Sequence, residues 1–175
     1  MKQSYKNMRD FWLDVKNLEN RKGVMEIGPD KISVAGVEMA VPDGEEIKYL
    51  FLATNSLGDS SLYFENNSKS GIGGVIGGHG YEALQDAAAR MLAHASKLTG
   101  QMTSAPAGSE LPPPSSPAMV RLFAVSKDKL FHIELEESSA RNPDNDFYPF
   151  FAYSQQAIGF FRQQQAAAPA KEGRA

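Results

Sequence analysis

The run Gly71-Ile72-Gly73-Gly74-Val75-Ile76-Gly77-Gly78-His79-Gly80 holds six of the chain's fifteen glycines, and a strongly patterned helix follows at once. Glycine loses more backbone freedom on folding than any other residue, so this density needs a physical reason. Three are open: an anion held by bare amides at a helix start, a close approach of backbone to a neighbouring element, or a mobile hinge or lid. Under the first, the amides of Gly73, Gly74, Gly77, Gly78 and Gly80 face the ligand. His79, near the positive end of the helix dipole and so held neutral, then serves as a ligand or acid–base group. The run fails the known phosphate templates. No Gly-Lys-Ser/Thr is present, and Ile76 stands where the dinucleotide fingerprint begun by Gly71 and Gly73 needs a third glycine. The aliphatic Ile72, Val75 and Ile76 suit docking, either on the chain's own core or on a protein partner.

Other chemistry-bearing residues are sparse. His132, Glu134 and Glu136 alternate along one strand face, a spacing that suits metal ligands or an acid–base pair. Arg121 falls opposite Glu134 in the hairpin described below, which favours a solvated, charge-paired face. His94 has no second ligand at helical spacing. Asp144-Asn145-Asp146 begins like a calcium loop, but Tyr148 and Pro149 follow and the required glycine and terminal glutamate are missing. There is no Gly-x-Ser-x-Gly elbow, and the chain has no cysteine, so a thiol nucleophile and a Cys-ligated metal are excluded. No cofactor, metal or catalytic residue is expected.

The elements that must position these residues fit one domain, since 175 residues is an ordinary domain length. The net charge of −3 argues for neither nucleic acid nor a membrane surface. Residues 1–23 hold six Lys/Arg against three Asp/Glu, the composition of a solvated helix face. No apolar run reaches the ~18 residues of a membrane span. The opening Met1–Asp10 has no signal-peptide core, and the lack of cysteine fits a reducing compartment, so a cytoplasmic location is expected.

Met8, Phe11, Trp12, Val15 and Leu18 form one stripe and predict a helix over 4–20, with Trp12 anchoring it in the core. Val24–Gly28 and Lys31–Val34 flank a Gly28-Pro29-Asp30 turn. The apolar parity switches at Ala35-Gly36, which predicts a β-bulge or tight bend before Val37, Met39 and Val41. Ile47–Thr54 is apolar on both faces, the mark of a central, covered strand. Ser61–Asn66 returns after a turn at Leu57-Gly58-Asp59. Tyr81–Thr99 is a helix with Tyr81, Leu84, Ala88, Met91, Leu92, Ala95 and Leu98 buried. Residues 101–118, with their triple proline, read as an exposed polyproline linker. Met119–Val125 and Leu130–Glu136 form a hairpin in which Val120, Leu122 and Ala124 face Leu135, Ile133 and Phe131, while Arg121 meets Glu134 and Phe123 meets His132. A loop with Asp146 as cap leads to a last helix, Phe147–Gln163, and a disordered tail over 163–175.

The sequence therefore predicts an α+β fold in the order α-ββββ-α-ββ-α. A mostly antiparallel sheet, a four-strand meander plus a C-terminal hairpin, packs with three helices in a single domain over 1–162. This element order, the small size and the acidic pI resemble class I type III secretion chaperones, which run helix, three strands, helix, two strands, helix. The strand at Ser61–Asn66 and the long linker depart from that pattern. The resemblance implies that the sheet or the aromatic helix face serves a protein partner or a dimer. The leading expectation is a non-catalytic protein-interaction module, adaptor or chaperone-like, docking through Phe123 and Val125 on the outer face of the hairpin and through Ile72, Val75 and Ile76. The alternative is a small-ligand or anion-binding protein, or an enzyme, using the glycine-rich residues 71–80 at a helix N-terminus.

Overall fold

The computed structural model describes residues 1–14 and 31–167. The end of the first expected helix, the strand expected at Val24–Gly28 with its turn, and most of the expected tail lie outside the described residues.

Four strands follow one another up and down: β1 (Val34–Asp43), β2 (Glu46–Asn55), β3 (Ser60–Glu65) and β4 (Ile72–Ile76). Three more, β5 (Thr103–Pro106), β6 (Met119–Val125) and β7 (Lys129–Glu136), complete a seven-stranded sheet in the order β4-β3-β2-β1-β6-β7-β5. Every neighbouring pair is antiparallel. The helices among the described residues are α1 (Gln3–Leu13), α2 (Glu82–Leu98), the single turn α3 (Glu137–Ala140) and α4 (Tyr148–Ala167). None is long and apolar enough to cross a membrane.

The α+β class with an antiparallel sheet is as the pattern predicts, but its membership differs. The fourth strand of the meander is the glycine-rich stretch, β5 is an added edge strand, and α3 is an added helix. The last helix runs through Ala167, so residues 163–167 are helical rather than part of a disordered tail. The hairpin register is the one predicted: Arg121 pairs with Glu134 and Phe123 with His132.

The sheet is covered on both faces. On the first, α2 and α4 bury Leu84, Met91, Ala95, Phe150, Phe151, Ile158 and Phe161 against Ala35, Val37, Leu52, Leu62, Leu122 and Ala124. On the second, α1 and a strap from the loop after β5 bury Tyr5, Trp12, Leu13 and Leu111 against Val34, Phe51, Tyr63, Phe123 and Val125. Two covered faces accept apolar residues at every position of a central strand. That is why the parity switch at Ala35-Gly36 is no bulge: β1 pairs without interruption from Val34 to Asp43. Gly36 has another task. A Cβ there would lie 2.4 Å from the Phe123 ring, and its absence lets Phe123 cross β1 and stack on Phe51 at 5.0 Å.

Two further corrections follow from the second layer. Phe123 and Val125 are both 0 % exposed, so the hairpin's outer face is core and offers no free docking surface. Residues 101–118 are not an exposed linker. Thr103–Pro106 pairs with β7, Leu111 is fully buried, and the Pro113 carbonyl accepts from Arg121. Prolines lack the amide N–H, so this segment crosses a covered sheet face without leaving buried donors unpaired.

A buried polar clamp holds α1 down. Glu38 on β1 is 0 % exposed and Arg9 1 %. Arg9 Nη2 donates to Glu38 Oε2 at 2.8 Å and the Tyr5 hydroxyl donates to Glu38 Oε1 at 3.0 Å. Trp12 Nε1 donates to the Tyr63 hydroxyl at 3.2 Å. Burial pushes the Glu38 carboxyl up, and Arg9, Tyr5 and Arg121 pull it back. Arg9 Nε and Nη1 are buried with no hydrogen-bond partner.

Truncating Phe123 to Ala is expected to destabilise the protein by about 3–5 kcal/mol, and the double substitution Phe123→Ser with Val125→Ser to abolish cooperative unfolding; urea denaturation followed by Trp12 fluorescence reads both. Arg9→Ala strands a buried carboxylate and should cost about 3–5 kcal/mol. Arg9→Met combined with Glu38→Met should recover most of that loss, whereas additive losses in the double variant would show that the pair is not coupled.

Candidate functional site

The glycine run folds as the end of the sheet. Ile72–Ile76 is β4, Gly77 takes φ 96°, Gly78–Gly80 makes a 3₁₀ turn, and α2 starts at Glu82. Of the three reasons for the glycines, close backbone approach explains two directly. Gly73 lies opposite Phe64 and Gly74 opposite Tyr63. A Cβ on Gly73 would come within 2.4 Å of the Phe64 ring, and one on Gly74 within 2.7 Å of the Leu62 carbonyl oxygen. Aromatic rings over glycines in an adjacent strand replace the missing side-chain contacts. The left-handed turn at Gly77 lets the chain leave the edge and enter α2.

β4 is one edge of the sheet and β5 the other, and they differ. β5 is four residues long, ends in Pro106, and its chain continues into the Ala107 amide bond to the Asp128 carbonyl. Proline and shortness are the usual protection of an edge. β4 has neither a proline nor a charge, and no strand lies beside its outer side among the described residues. Ile76, at its end, is 70 % exposed. Beside Ile76 a groove of about 260 Å³ is lined by Met8, Phe11, Trp12, Asp59, Ser61, Tyr63 and Gly77. Phe11 and Trp12 meet edge to face at 6.3 Å along it.

The structure thus brings Ile72, Gly73, Gly74, Val75 and Ile76 together as one strand edge, with Gly77, Gly78 and Gly80 leading away from it. Ile72 packs against the second core and Val75 against the first, leaving Ile76 as the exposed aliphatic. The side chain of His79 lies outside the described residues. The α2 start has the acidic Glu82 in its first turn, which opposes an anion at those amides. Phe123 and Val125 are far from solvent, as noted above. Sequence reasoning missed the groove residues Met8, Phe11 and Tyr63. The signal available was the stripe Met8, Phe11, Trp12, which is set to one side of the buried Tyr5, Arg9, Trp12, Leu13 face and leaves Met8 and Phe11 half-buried.

The charged strand face is a row of paired groups: Arg121 Nη2 donates to Glu134 Oε2, the Ser115 amide donates to Glu134 Oε1 at 2.7 Å, and Arg121 Nη1 lies 3.4 Å from His132 Nδ1. Burial alone would raise Glu134, but Ser115 and Arg121 outweigh it and hold its pKa below the usual carboxylate value. Burial and the Arg121 charge push His132 down. Glu136 ends the strand, exposed, and accepts from Ser138. His94 stacks on Tyr153 at 5.7 Å. In the Asp144–Asp146 loop, Asn145 rather than Asp146 takes the Phe147 amide, and Asp146 accepts from Gln101 instead. No group of three His, Asp or Glu suited to a metal occurs among the described residues.

His132 is lowered in the folded state, so the unfolded chain takes up a proton first as pH falls through its ordinary value near 6.5. Stability from this group is present above that pH and lost below it. The thermal midpoint is therefore expected to fall from pH 7 to pH 5, and His132→Gln should flatten that slope in differential scanning calorimetry. An unchanged slope would remove His132 as a source.

No protein-family model matches this chain, and no curated protein matches it significantly.

Proposed function

We propose that this chain is a non-catalytic protein-interaction module, an adaptor or chaperone-like domain, that receives an extended segment of a partner along β4. The observation that carries the reading is an edge strand without charge or proline, ending in an isoleucine that is 70 % exposed beside an aromatic groove. An edge of this kind offers a row of backbone donors and acceptors, and adding a strand satisfies them. Side chains alternate along an added strand, so every second one falls on the groove side, where the half-buried Met8 and Phe11 supply apolar surface. The resemblance of the element order to class I type III secretion chaperones points the same way.

Ile76→Lys places a charge on the edge and leaves the ladder to β3 in place. As a surface substitution it should change folding stability by no more than about 0.5 kcal/mol. It is expected to eliminate proteins that co-purify stoichiometrically with the wild-type chain from its native host. Undiminished recovery of the same partners would sink this reading. Amide shifts confined to Gly73–Glu82 on adding millimolar phosphate would instead support the small-ligand alternative; a flat titration is expected.

A further inference from the structure

The strand Ile72-Gly73-Gly74-Val75-Ile76 reads almost the same in both directions. The parity of its backbone groups makes that symmetry usable. The Asn66 amide donates to the Gly71 carbonyl, and antiparallel ladders alternate between bonded and non-bonded pairs. Gly71 turns its carbonyl to β3 while its amide donates to the Ser68 carbonyl, and positions 73 and 75 turn both amides and carbonyls towards β3. Ile72, Gly74 and Ile76 turn theirs to the open edge, where the Ile72 carbonyl already accepts from the Ser70 hydroxyl at 3.0 Å and keeps a second lone pair for a strand amide. Those three positions are evenly spaced about Gly74.

We propose that β4 pairs antiparallel with β4 of a second copy of this chain, about a two-fold axis at Gly74, joining two seven-stranded sheets into one. The inference rests on the reading of β4 as the docking edge and names the partner. In this register Gly74 meets Gly74 of the second copy, and each Ile72 meets the other copy's Ile76, for about six backbone hydrogen bonds. Directly opposed residues share a face. Ile76, with its 70 % exposure, is then covered by the isoleucine of the other copy on the side where α1 lies. On the other face each Val75 meets the other copy's Gly73, large against absent, and nothing protrudes at the axis. A register two residues to either side leaves two residues of each strand unpaired and sets an isoleucine against Gly74.

The charges agree with this orientation. The exposed Lys69, the Lys2 side chain beside Gly71 and the N-terminal ammonium flank the start of β4 and outnumber the one carboxylate there, the buried Glu65 opposite Ile72, while Asp59 lines the groove at its end. Antiparallel pairing brings the basic end of one copy to the acidic end of the other, twice. A five-residue strand covers well under the ~800 Å² per partner of a standard stable interface. The dimer is accordingly a weak, concentration-dependent one.

Sedimentation equilibrium of the full chain alone, from low micromolar to about 1 mM, tests it. The expected result is a monomer–dimer equilibrium that Ile76→Lys weakens at least tenfold. Leu57→Lys, an exposed apolar position in the β2–β3 turn, should leave it unchanged. The absence of native cysteine permits a check of register. Chains carrying Ile72→Cys mixed with chains carrying Ile76→Cys should form a disulfide under oxidation, because bonded cross-strand pairs lie ~5.5 Å apart at Cα. Neither variant should cross-link alone, since like positions sit roughly 13 Å apart along the strand. A monomer at every concentration overturns the inference, as does a dimer indifferent to Ile76→Lys or a cross-link formed by one variant alone. If the chain is monomeric yet Ile76→Lys still eliminates a co-purifying protein, self-pairing falls and the docking edge stands. If both dimer and co-purifying protein survive Ile76→Lys, both readings fall.

Discussion

Glu38 is an ionisable side chain held away from water in the middle of the sheet, and the arrangement of the second layer follows from its need for a partner. An unpaired carboxylate at that depth would oppose folding by several kcal/mol. Arg9 meets the need only if α1 lies across the sheet at one height and rotation, which also seats Tyr5 on Glu38 and Trp12 on Tyr63. Hydrophobic burial alone would let a short helix slide; charge and hydrogen-bond geometry do not. The neighbouring Arg121 extends the pattern to Glu134, and from there to Ser115 and the proline strap. Alternating charges thus run from helix to strand to strap, and they select where the two covers sit.

With both faces closed, the sheet can meet another molecule along its strands only at its edges. The two edges have been treated in opposite ways. β5 is short and ends in proline, while β4 combines aliphatics with glycines and stays free of charge. Glycines at Gly73 and Gly74 let the rings of Phe64 and Tyr63 lie over the edge strand, so aromatic cover holds β4 at its centre while Ile72 and Val75 pack into the two cores. That cover comes from the β3 side. The far side of β4, with Ile76 and the groove under α1, is where the fold remains chemically unfinished.

The sequence shows some of this directly and hides the rest for identifiable reasons. The register of the last hairpin is readable because two periodic strands and a short turn constrain each other locally: a slip by one residue moves the three apolar side chains of one strand off the face of the other three. Double coverage was readable in Ile47–Thr54, but its consequence was not carried to β6, where Phe123 and Val125 look like an outer face until something is known to lie on them. The strap has the composition of a linker, because nothing local to residues 101–118 shows that Leu111 has a pocket to enter. The glycine run was ambiguous by nature, since glycine lacks the side chain whose periodicity would identify a strand.

By itself, the sequence determined the α+β class, the antiparallel pairing of adjacent strands, the amphipathic face of α2 and the hairpin register. All of these depend on contacts between residues close in the chain, where periodicity and turn chemistry are sufficient. Only the tertiary structure decided that Arg9 finds Glu38, that the proline segment closes the second face, and that the glycine-rich stretch is the sheet's unprotected edge. The first two join segments far apart in the chain, and the third depends on no other strand among the described residues arriving beside β4. Their geometry is set by the competition for a buried partner or a covered surface, which no local pattern records.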